Sequence, residues 1–459
     1  MKVLMFGWEF PPYVSGGLGV ACYNITKSLD SLVDQLYFVM PKNDINQTLF
    51  KKTSLMGADS VNESSVQMEE TLSNEKKEFD SLIAQHKEQY KERKISFLPV
   101  ESDLTPYATR NQTVFHEEQR FFFSSFFRQQ EKQQSKKQIL ESQKNLCDNF
   151  DFSNPLFRDV MAYSSKAACF AMMVRHDVIH AHDWLTIPAA FEAKRFSGKP
   201  LVLHVHATEY DRSGSGMNSL IYEVERFGVH HADRVIAVSH YTKEILIQHY
   251  GADASKIEVV HNGVAPKLSN LLKSSAKKTV KEKIVLYLGR LTFQKGPDYF
   301  IRSAKRVLER RKDIRFVVAG SGDMMPWLVE QVNKWGLGDH FYFTGFLNDV
   351  LVEKLFRISD VYVMPSVSEP FGIAPLEALY YGVPVVLSKT SGVSEVLDHV
   401  LKVDFWDIDE MANKILAILD YPALKSHLMK GVEAELPTIN WEDASEKIFK
   451  IYKQVYKEK

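Results

Sequence analysis

Two consecutive doubly wound α/β domains, each a parallel sheet with helices on both faces, are the architecture this sequence predicts. Three observations carry that expectation. Short apolar runs rich in Val, Ile and Leu alternate with helical patterns. The alternation comes as two separate series. The chain has 459 residues, more than one ordinary core organises. Strands alternating with helices imply parallel sheets, and such sheets bind ligands at their strand ends. The two domains are therefore expected to face each other across a ligand cleft.

The first series opens with a strand over 3–6, the glycine turn Ser15-Gly16-Gly17-Leu18-Gly19, a helix to about Leu32 and a strand over 36–40. The pattern then stops. Residues 43–154 are polar and rich in Lys, Glu, Gln and Ser, and a segment of that length reads as a helical insertion, not a connecting loop. Strands resume at 177–180, 201–204, 234–238 and 256–260. A Ser/Lys-rich stretch of low complexity, 266–283, reads as a linker. The second series begins at 284–288 and continues through 316–319, 341–344, 361–364 and 383–387. The expected division is thus a first domain over 1–265, the linker, a second domain over 284–438 and a final helix over 439–459. That helix can pack on either domain, the N-terminal one included.

Composition narrows the function. Hydrophobic residues make up 45% and charged residues 25%, as in soluble globular proteins. The formal net charge of −1 argues against a polyanion-binding surface, so no nucleic-acid partner is expected. Cys22, Cys147 and Cys169 lack metal-ligand spacing and suit a reducing compartment. With no signal-peptide pattern and no long apolar run, a cytoplasmic protein without a transmembrane segment is the expectation.

Four constellations carry chemistry. Gly16-Gly17-Leu18-Gly19 follows a strand and opens a helix, where bare amides attract phosphate; a plain tight turn reads equally well. Gly289-Arg290-Leu291-Thr292-Phe293-Gln294-Lys295-Gly296 leaves the first strand of the second series, and its two cations can clamp a diphosphate. Glu369 and Glu377 lie eight apart around Pro370-Phe371-Gly372-Ile373, so both carboxylates can face one ligand while the amides of Phe371, Gly372 and Ile373 meet an anion or hydroxyls. The apolar residues around Glu377 put it on a largely buried helix, where a carboxylate needs a partner. His180-Ala181-His182-Asp183-Trp184 and His204-Val205-His206 have metal-like alternation, but the later strand ends offer Ser239, Asn262 and Arg290, which are poor ligands. Satisfied hydrogen-bonding histidines, one of them contacting a substrate, are the expected reading. Asp407-Ile408-Asp409 imitates a D-x-D metal motif, but its place before a helical pattern marks a cap.

Taken in order, Trp8-Glu9-Phe10-Pro11-Pro12 with the glycine turn, His180–Trp184, Val238-Ser239, His261-Asn262-Gly263-Val264, Gly289-Arg290 with Lys295-Gly296, Ala319-Gly320-Ser321-Gly322 and the E-x7-E run Glu369–Glu377 resemble the retaining GT-B glycosyltransferases of the glycogen synthase and family 4 group. The resemblance covers about residues 1–40 and 155–400. It implies an N-terminal acceptor-side domain, a C-terminal nucleotide-sugar donor domain and a hexosyltransferase that retains anomeric configuration. By the same resemblance Gly16 and Gly17 meet the donor diphosphate, and Arg290 and Lys295 neutralise it as it leaves. Glu377 holds the ribose. Glu369, with the amides of Phe371, Gly372 and Ile373, contacts the transferred sugar, and His182 sits under that sugar near the reacting carbon. No metal and no cofactor are implied.

Where bacterial starch and glycogen synthases carry Lys-Thr-Gly-Gly, this chain has Val14-Ser15-Gly16-Gly17, which leans the donor from ADP-glucose toward UDP-glucose. Asn154-Pro155-Leu156 with Val160 and Tyr163 also resembles the synthase-like members. The acceptor implied is then an α-1,4-glucan. The run Arg120–Arg128, with five phenylalanines, admits a helix buried against a domain or partner and a glucan-stacking surface, the former being the commoner fate of clustered apolar side chains. Rival readings are a transferase for a lipid-linked or cell-surface polysaccharide acceptor, a UDP-sugar 2-epimerase of similar fold, and a nucleotide-sugar sensor without catalysis. The first wants a basic amphipathic helix, yet Lys27 is the only base over 22–32. An epimerase needs an acid and base pair of its own, and a sensor need not keep His182, Arg290, Lys295 and both glutamates.

Overall fold

The computed structural model describes residues 1–10, 16–41, 52–57, 155–264 and 281–458. They form two parallel-sheet halves. The N-terminal sheet contains β1 (Lys2–Phe6), β2 (Gln35–Met40), β3 (Thr53–Gly57), β4 (Val178–His182), β5 (Leu201–Val205), β6 (Arg234–Ala237) and β7 (Ile257–Val259), in the spatial order β3-β2-β1-β4-β5-β6-β7. The C-terminal sheet contains β8 (Lys283–Leu288), β9 (Ile314–Ala319), β10 (Phe341–Gly345), β11 (Val361–Met364), β12 (Val385–Ser388) and β13 (Leu401–Val403), ordered β10-β9-β8-β11-β12-β13. Every named strand pair is parallel. Both orders reverse direction beside their first strand, between β1 and β4 and between β8 and β11. Those reversals are where open α/β sheets hold ligands.

Two strands escape the sequence reading. β3 lies inside the segment read as an insertion, which corrects that segment's start. Lys52 donates its amide to Asp30 Oδ1 at 2.8 Å and Thr53 its hydroxyl at 2.8 Å, fixing β3 to the end of the preceding helix. β13 is only three residues long and pairs through Val386, Leu387 and Ser388. The remainder of 43–154, most of the linker, Pro11–Ser15 and the Arg120–Arg128 aromatics lie outside the described residues.

The central strands are buried along their full length, because helices cover both faces. One face of the N-terminal sheet packs Phe170, Phe191, Phe227 and Tyr250; the other packs Cys22, Ile25 and Leu29 of the Gly17–Leu32 helix. The last helix, Trp441–Lys457, joins that second face through Trp441, Ile448, Ile451, Tyr452 and Val455. Burying each such side chain contributes about 1.5–3 kcal/mol. The chain therefore ends on the half where it began, and Val264 donates its amide to Ile439 O at 3.0 Å where the outgoing and returning segments meet. Among the described residues, no helix is long and apolar enough to cross a membrane.

Candidate active site

The four strands flanking the two reversals end in the residues singled out from sequence. β1 leads to Gly16 and Gly17. Gly16 caps the Gly17–Leu32 helix in extended conformation, both glycines are exposed, and a Cβ on either would meet nothing within 4 Å. Their first-turn amides stand open at a helix N-terminus.

β8 leads to the Arg290–Gly296 loop. Tyr287 donates its hydroxyl to Arg290 O at 2.8 Å, and Leu291 donates its amide to Ser321 O at 2.9 Å, so the loop rests on its own strand and on the β9 exit. Arg290 is exposed. Gly296 has φ +62, and a Cβ there would stand 2.1 Å from Pro365 O, so only glycine lets the loop close against the β11 exit. That closure brings Lys295 to Glu369: Nζ donates to Oε1 at 2.8 Å and Oε2 at 2.7 Å, and Ser366 Oγ donates to Oε2 at 3.1 Å.

Beyond β11, Glu369 donates its amide to Thr390 O at 3.0 Å and accepts from Gly392 N at 2.9 Å, which holds the loop in a strand-like bridge. Gly372, at φ +99, then turns the chain into the Ile373–Tyr380 helix, with Phe371 buried before it. The helix buries Pro375, Leu376, Ala378 and Leu379, while Glu377 is half-buried. Glu369 and Glu377 both push up the pKa of the buried Tyr362 phenol, after the larger effect of its burial.

β4 ends in His182, wholly buried, whose Nδ1 lies 2.9 Å from His206 Nε2. His180 stacks on it with centroids 4.4 Å apart, and His204 lies 5.4 Å from both rings. His180 Nδ1 is hydrogen-bonded to the Tyr452 hydroxyl of the last helix. The expectation of satisfied histidines is corrected here. His180 Nε2, His182 Nε2 and both nitrogens of His204 are buried without a protein partner among the described residues. The cause is the fully buried parallel strands: alternation puts His180, His182 and His204 on one covered face, where β-strand backbone supplies no spare acceptors.

Burial, reinforced by the neighbouring imidazoles, pushes His180 down to about 3 and His182 and His204 well below the ordinary histidine value; burial alone takes His206 to about 3. The rings stay neutral in the fold, and unfolding returns them to about 6.5. The unfolded chain then binds more protons as pH falls below 6.5, so the stability these rings contribute is present above that pH and lost beneath it. Replacing His180 by Gln is expected to flatten the slope of unfolding free energy against pH by about 1.4 kcal/mol per unit between pH 6 and 4. Urea unfolding in EDTA measures it; an unchanged slope would mean that His180 titrates normally in the fold.

Asp183 follows at φ 57, the only non-glycine with positive φ among the described residues. Such a conformation costs of order 1–3 kcal/mol. Its Oδ1 accepts from His206 N at 2.6 Å and Ala207 N at 3.4 Å, joining the β4 and β5 exits. Burial pushes its carboxyl up to about 7 against those two amide bonds and the Arg212 charge.

Sequence reasoning missed the contacts that join the halves. Ser368 Oγ donates to Asp211 Oδ1 at 2.6 Å and lies 3.0 Å from the Tyr241 hydroxyl; Ser239 Oγ donates to Pro370 O at 2.6 Å. Glu395 accepts from His240 N at 2.9 Å and Tyr241 N at 2.7 Å, and lies 2.8 Å from His261 Nε2. One signal was readable: Thr208-Glu209-Tyr210-Asp211 is a capping box directly after β5. The late D-x-D is taken up elsewhere. Asp407 caps its helix through Glu410 N at 2.9 Å, and Asp409 pairs with Arg306 at 2.9 Å.

Comparison with known proteins identifies the family and the fold. Residues 270–433 match the profile described as glycosyl transferases group 1, and residues 130–268 that of glycosyltransferase family 4. Similar relatives include an uncharacterised glycosyltransferase of Methanocaldococcus jannaschii, 31% identical over 61% of this chain and 75% of its own length. A glycogen synthase of Mycobacterium tuberculosis is 27% identical over 61% of this chain and 69% of its own. The UDP-Gal:alpha-D-GlcNAc-diphosphoundecaprenol alpha-1,3-galactosyltransferase of Escherichia coli is 30% identical over 54% of this chain and 67% of its own. Among solved structures, the sucrose-phosphate synthase of Thermosynechococcus elongatus superposes with TM-score 0.66 at 17% identity, covering 100% of both chains. Anabaena HepE in complex with UDP and glucose superposes with TM-score 0.63 at 17% identity, covering 99% of this chain and 100% of its own.

Proposed function

The chain belongs to the GT-B glycosyltransferases of the family 4 type, and from that premise we propose that it moves glucose from a nucleotide sugar, UDP-glucose in preference to ADP-glucose, to the non-reducing end of an α-1,4-glucan with retention of configuration. One observation carries the reading: the chain carries the Gly16-Gly17 turn, His182, the cations Arg290 and Lys295, and Glu369 at or after the ends of β1, β4, β8 and β11, the strands that flank the two sheet reversals, and open α/β sheets hold ligands at such reversals. The similarity to a glycogen synthase supports the glucan as acceptor.

The donor diphosphate lies between the Gly16-Gly17 amides and the Arg290 and Lys295 side chains. Phosphate oxygens compete with Glu369 for Lys295, which frees the carboxylate for the hydroxyls of the transferred sugar, together with the amides of Phe371, Gly372 and Ile373. Glu377 takes the ribose hydroxyls. His182, neutral and buried, accepts or donates one hydrogen bond beneath the sugar. The bond from the anomeric carbon to the phosphate oxygen breaks, and its electrons leave with the nucleoside diphosphate. The acceptor oxygen forms its bond on the same face, and its proton passes to the departing phosphate oxygen. Fixed cations and amides stabilise the charge that develops on that oxygen. No metal ion takes part in this chemistry, which is in keeping with Asp407 and Asp409 being held in a cap and an ion pair.

The test incubates the full chain with UDP-glucose or ADP-glucose, with EDTA present, and with glycogen, maltooligosaccharides or a polyprenyl-diphosphate-linked sugar. Glucan-dependent nucleotide release is expected, faster with UDP-glucose. Release only with the lipid-linked acceptor would replace the glucan, and a divalent-metal requirement for turnover would remove the metal-free chemistry.

A further inference from the structure

We propose that His180, His182 and His204 form a binding site for one borderline divalent transition-metal ion of the zinc class, and that occupation of this site switches off sugar transfer. The three rings come from adjacent strands. His180 and His182 are two apart on β4 and share a face, and His204 stands directly opposite His182 in the β4–β5 register. One nitrogen from each lies within 4.8 Å of the others, and all three rings are buried.

Metal-ligating histidines characteristically hand their second nitrogen to a fixed partner, and two of the three rings have such a contact. His180 Nδ1 is held by the Tyr452 hydroxyl and His182 Nδ1 by His206 Nε2, 2.9 Å away. Both rings therefore keep Nε2 for a ligand, and in that tautomer Nδ1–H donates to Tyr452 Oη and to His206 Nε2. His180 Nε2, His182 Nε2 and both His204 nitrogens are the ones buried without a protein partner among the described residues. Nitrogens ligating zinc tetrahedrally at about 2.1 Å stand about 3.4 Å apart. The 4.8 Å limit exceeds that spacing, and χ2, a soft torsion in histidine, is the motion by which binding would draw the nitrogens together. Three imidazoles leave a fourth position for water or a small anion. Imidazole ligands select zinc, copper or nickel over magnesium and calcium.

The consequence for turnover rests on the reading of His182 as the residue beneath the transferred sugar. An ion on Nε2 takes the nitrogen that meets the sugar and places a positive charge beside the anomeric carbon. The metal is then an inhibitor, outside the transfer chemistry.

Cobalt(II) is the probe. Full-length protein stripped with a chelator is titrated with Co2+, and the variants H180Q and H204Q are titrated alongside, with thermal unfolding to confirm that they fold. Wild type is expected to bind one equivalent with the intense visible absorption of a four-coordinate ion, displaced by Zn2+, and each variant to bind at least about ten-fold more weakly. Zinc at its binding concentration is expected to suppress wild-type turnover but leave that of H204Q in place. Absence of the four-coordinate spectrum, or wild-type affinity in both variants, overturns the site whatever activity the protein has. A one-equivalent spectrum with turnover unaffected by zinc retains the site and overturns the switch. Failure of the glycosyltransfer assay itself leaves the spectroscopic result standing, so the two readings fail separately.

Discussion

Lys295→Ala is expected to lower kcat by about 10²–10³-fold, the scale of losing one preorganised group aimed at developing negative charge. The ammonium is fixed before any donor arrives, by two contacts to Glu369 at 2.8 and 2.7 Å. A side chain already ordered spends little further entropy when it turns to phosphate. The substitution also leaves Glu369 facing the donor without its cation, so carboxylate and phosphate repel. Lys295→Arg restores charge but replaces the compact ammonium by a longer, planar fork that pairs with Glu369 in a different geometry. Partial recovery in that variant separates lost charge from lost geometry. Steady-state kinetics with saturating acceptor measures both, and a Lys295→Ala enzyme with wild-type kcat would remove this residue from the leaving-group site.

Glu377→Ala is expected to act on donor capture, with kcat/KM for the nucleotide sugar falling by about 10–150-fold, the loss of a hydrogen-bonded charged acceptor worth about 1.5–3 kcal/mol. Glu377 is half-buried on the Ile373–Tyr380 helix, whose neighbouring positions are core, so its removal leaves the packing of Leu376 and Leu379 in place. The effect belongs in KM, because the ribose is bound equally in ground and transition states. Glu377→Gln keeps an acceptor oxygen and is expected to recover part of the loss. A fall in kcat at unchanged donor KM would move Glu377 from the ribose to the reacting sugar.

Much of this architecture was legible in the chain because parallel strands covered on both faces read as continuous apolar runs. Residues 3–6, 201–203 and Val361–Met364 are such runs, and the segments that leave them carry glycines, histidines and charges that stand out against them. β3 and β13 lacked that signal. Thr53-Ser54-Leu55-Met56-Gly57 is half polar, and Leu401-Lys402-Val403 is too short to show a period. The positions of Arg290, Lys295, Glu369 and Glu377 followed from loops at strand exits, a local pattern. The Ser368–Asp211 and Ser239–Pro370 contacts pair residues 157 and 131 positions apart, and no local pattern reports such a pairing. Tyr452 under His180 is a still longer reach, across 272 positions, made possible only because the last helix returns to the first half. Asp183 escaped for another reason: its motif was visible, but positive φ at a non-glycine residue leaves no mark in sequence.

The most direct test of the account follows the anomeric centre through one turnover. The full-length protein is supplied with UDP-glucose labelled with 13C at the anomeric carbon and with a maltooligosaccharide, in EDTA, while NMR follows the labelled carbon. The account predicts that the donor α-signal is replaced by the signal of an α-1,4-linked terminal glucose, in step with UDP release. A β-linked product, or labelled free glucose appearing as fast with or without the oligosaccharide, would contradict it.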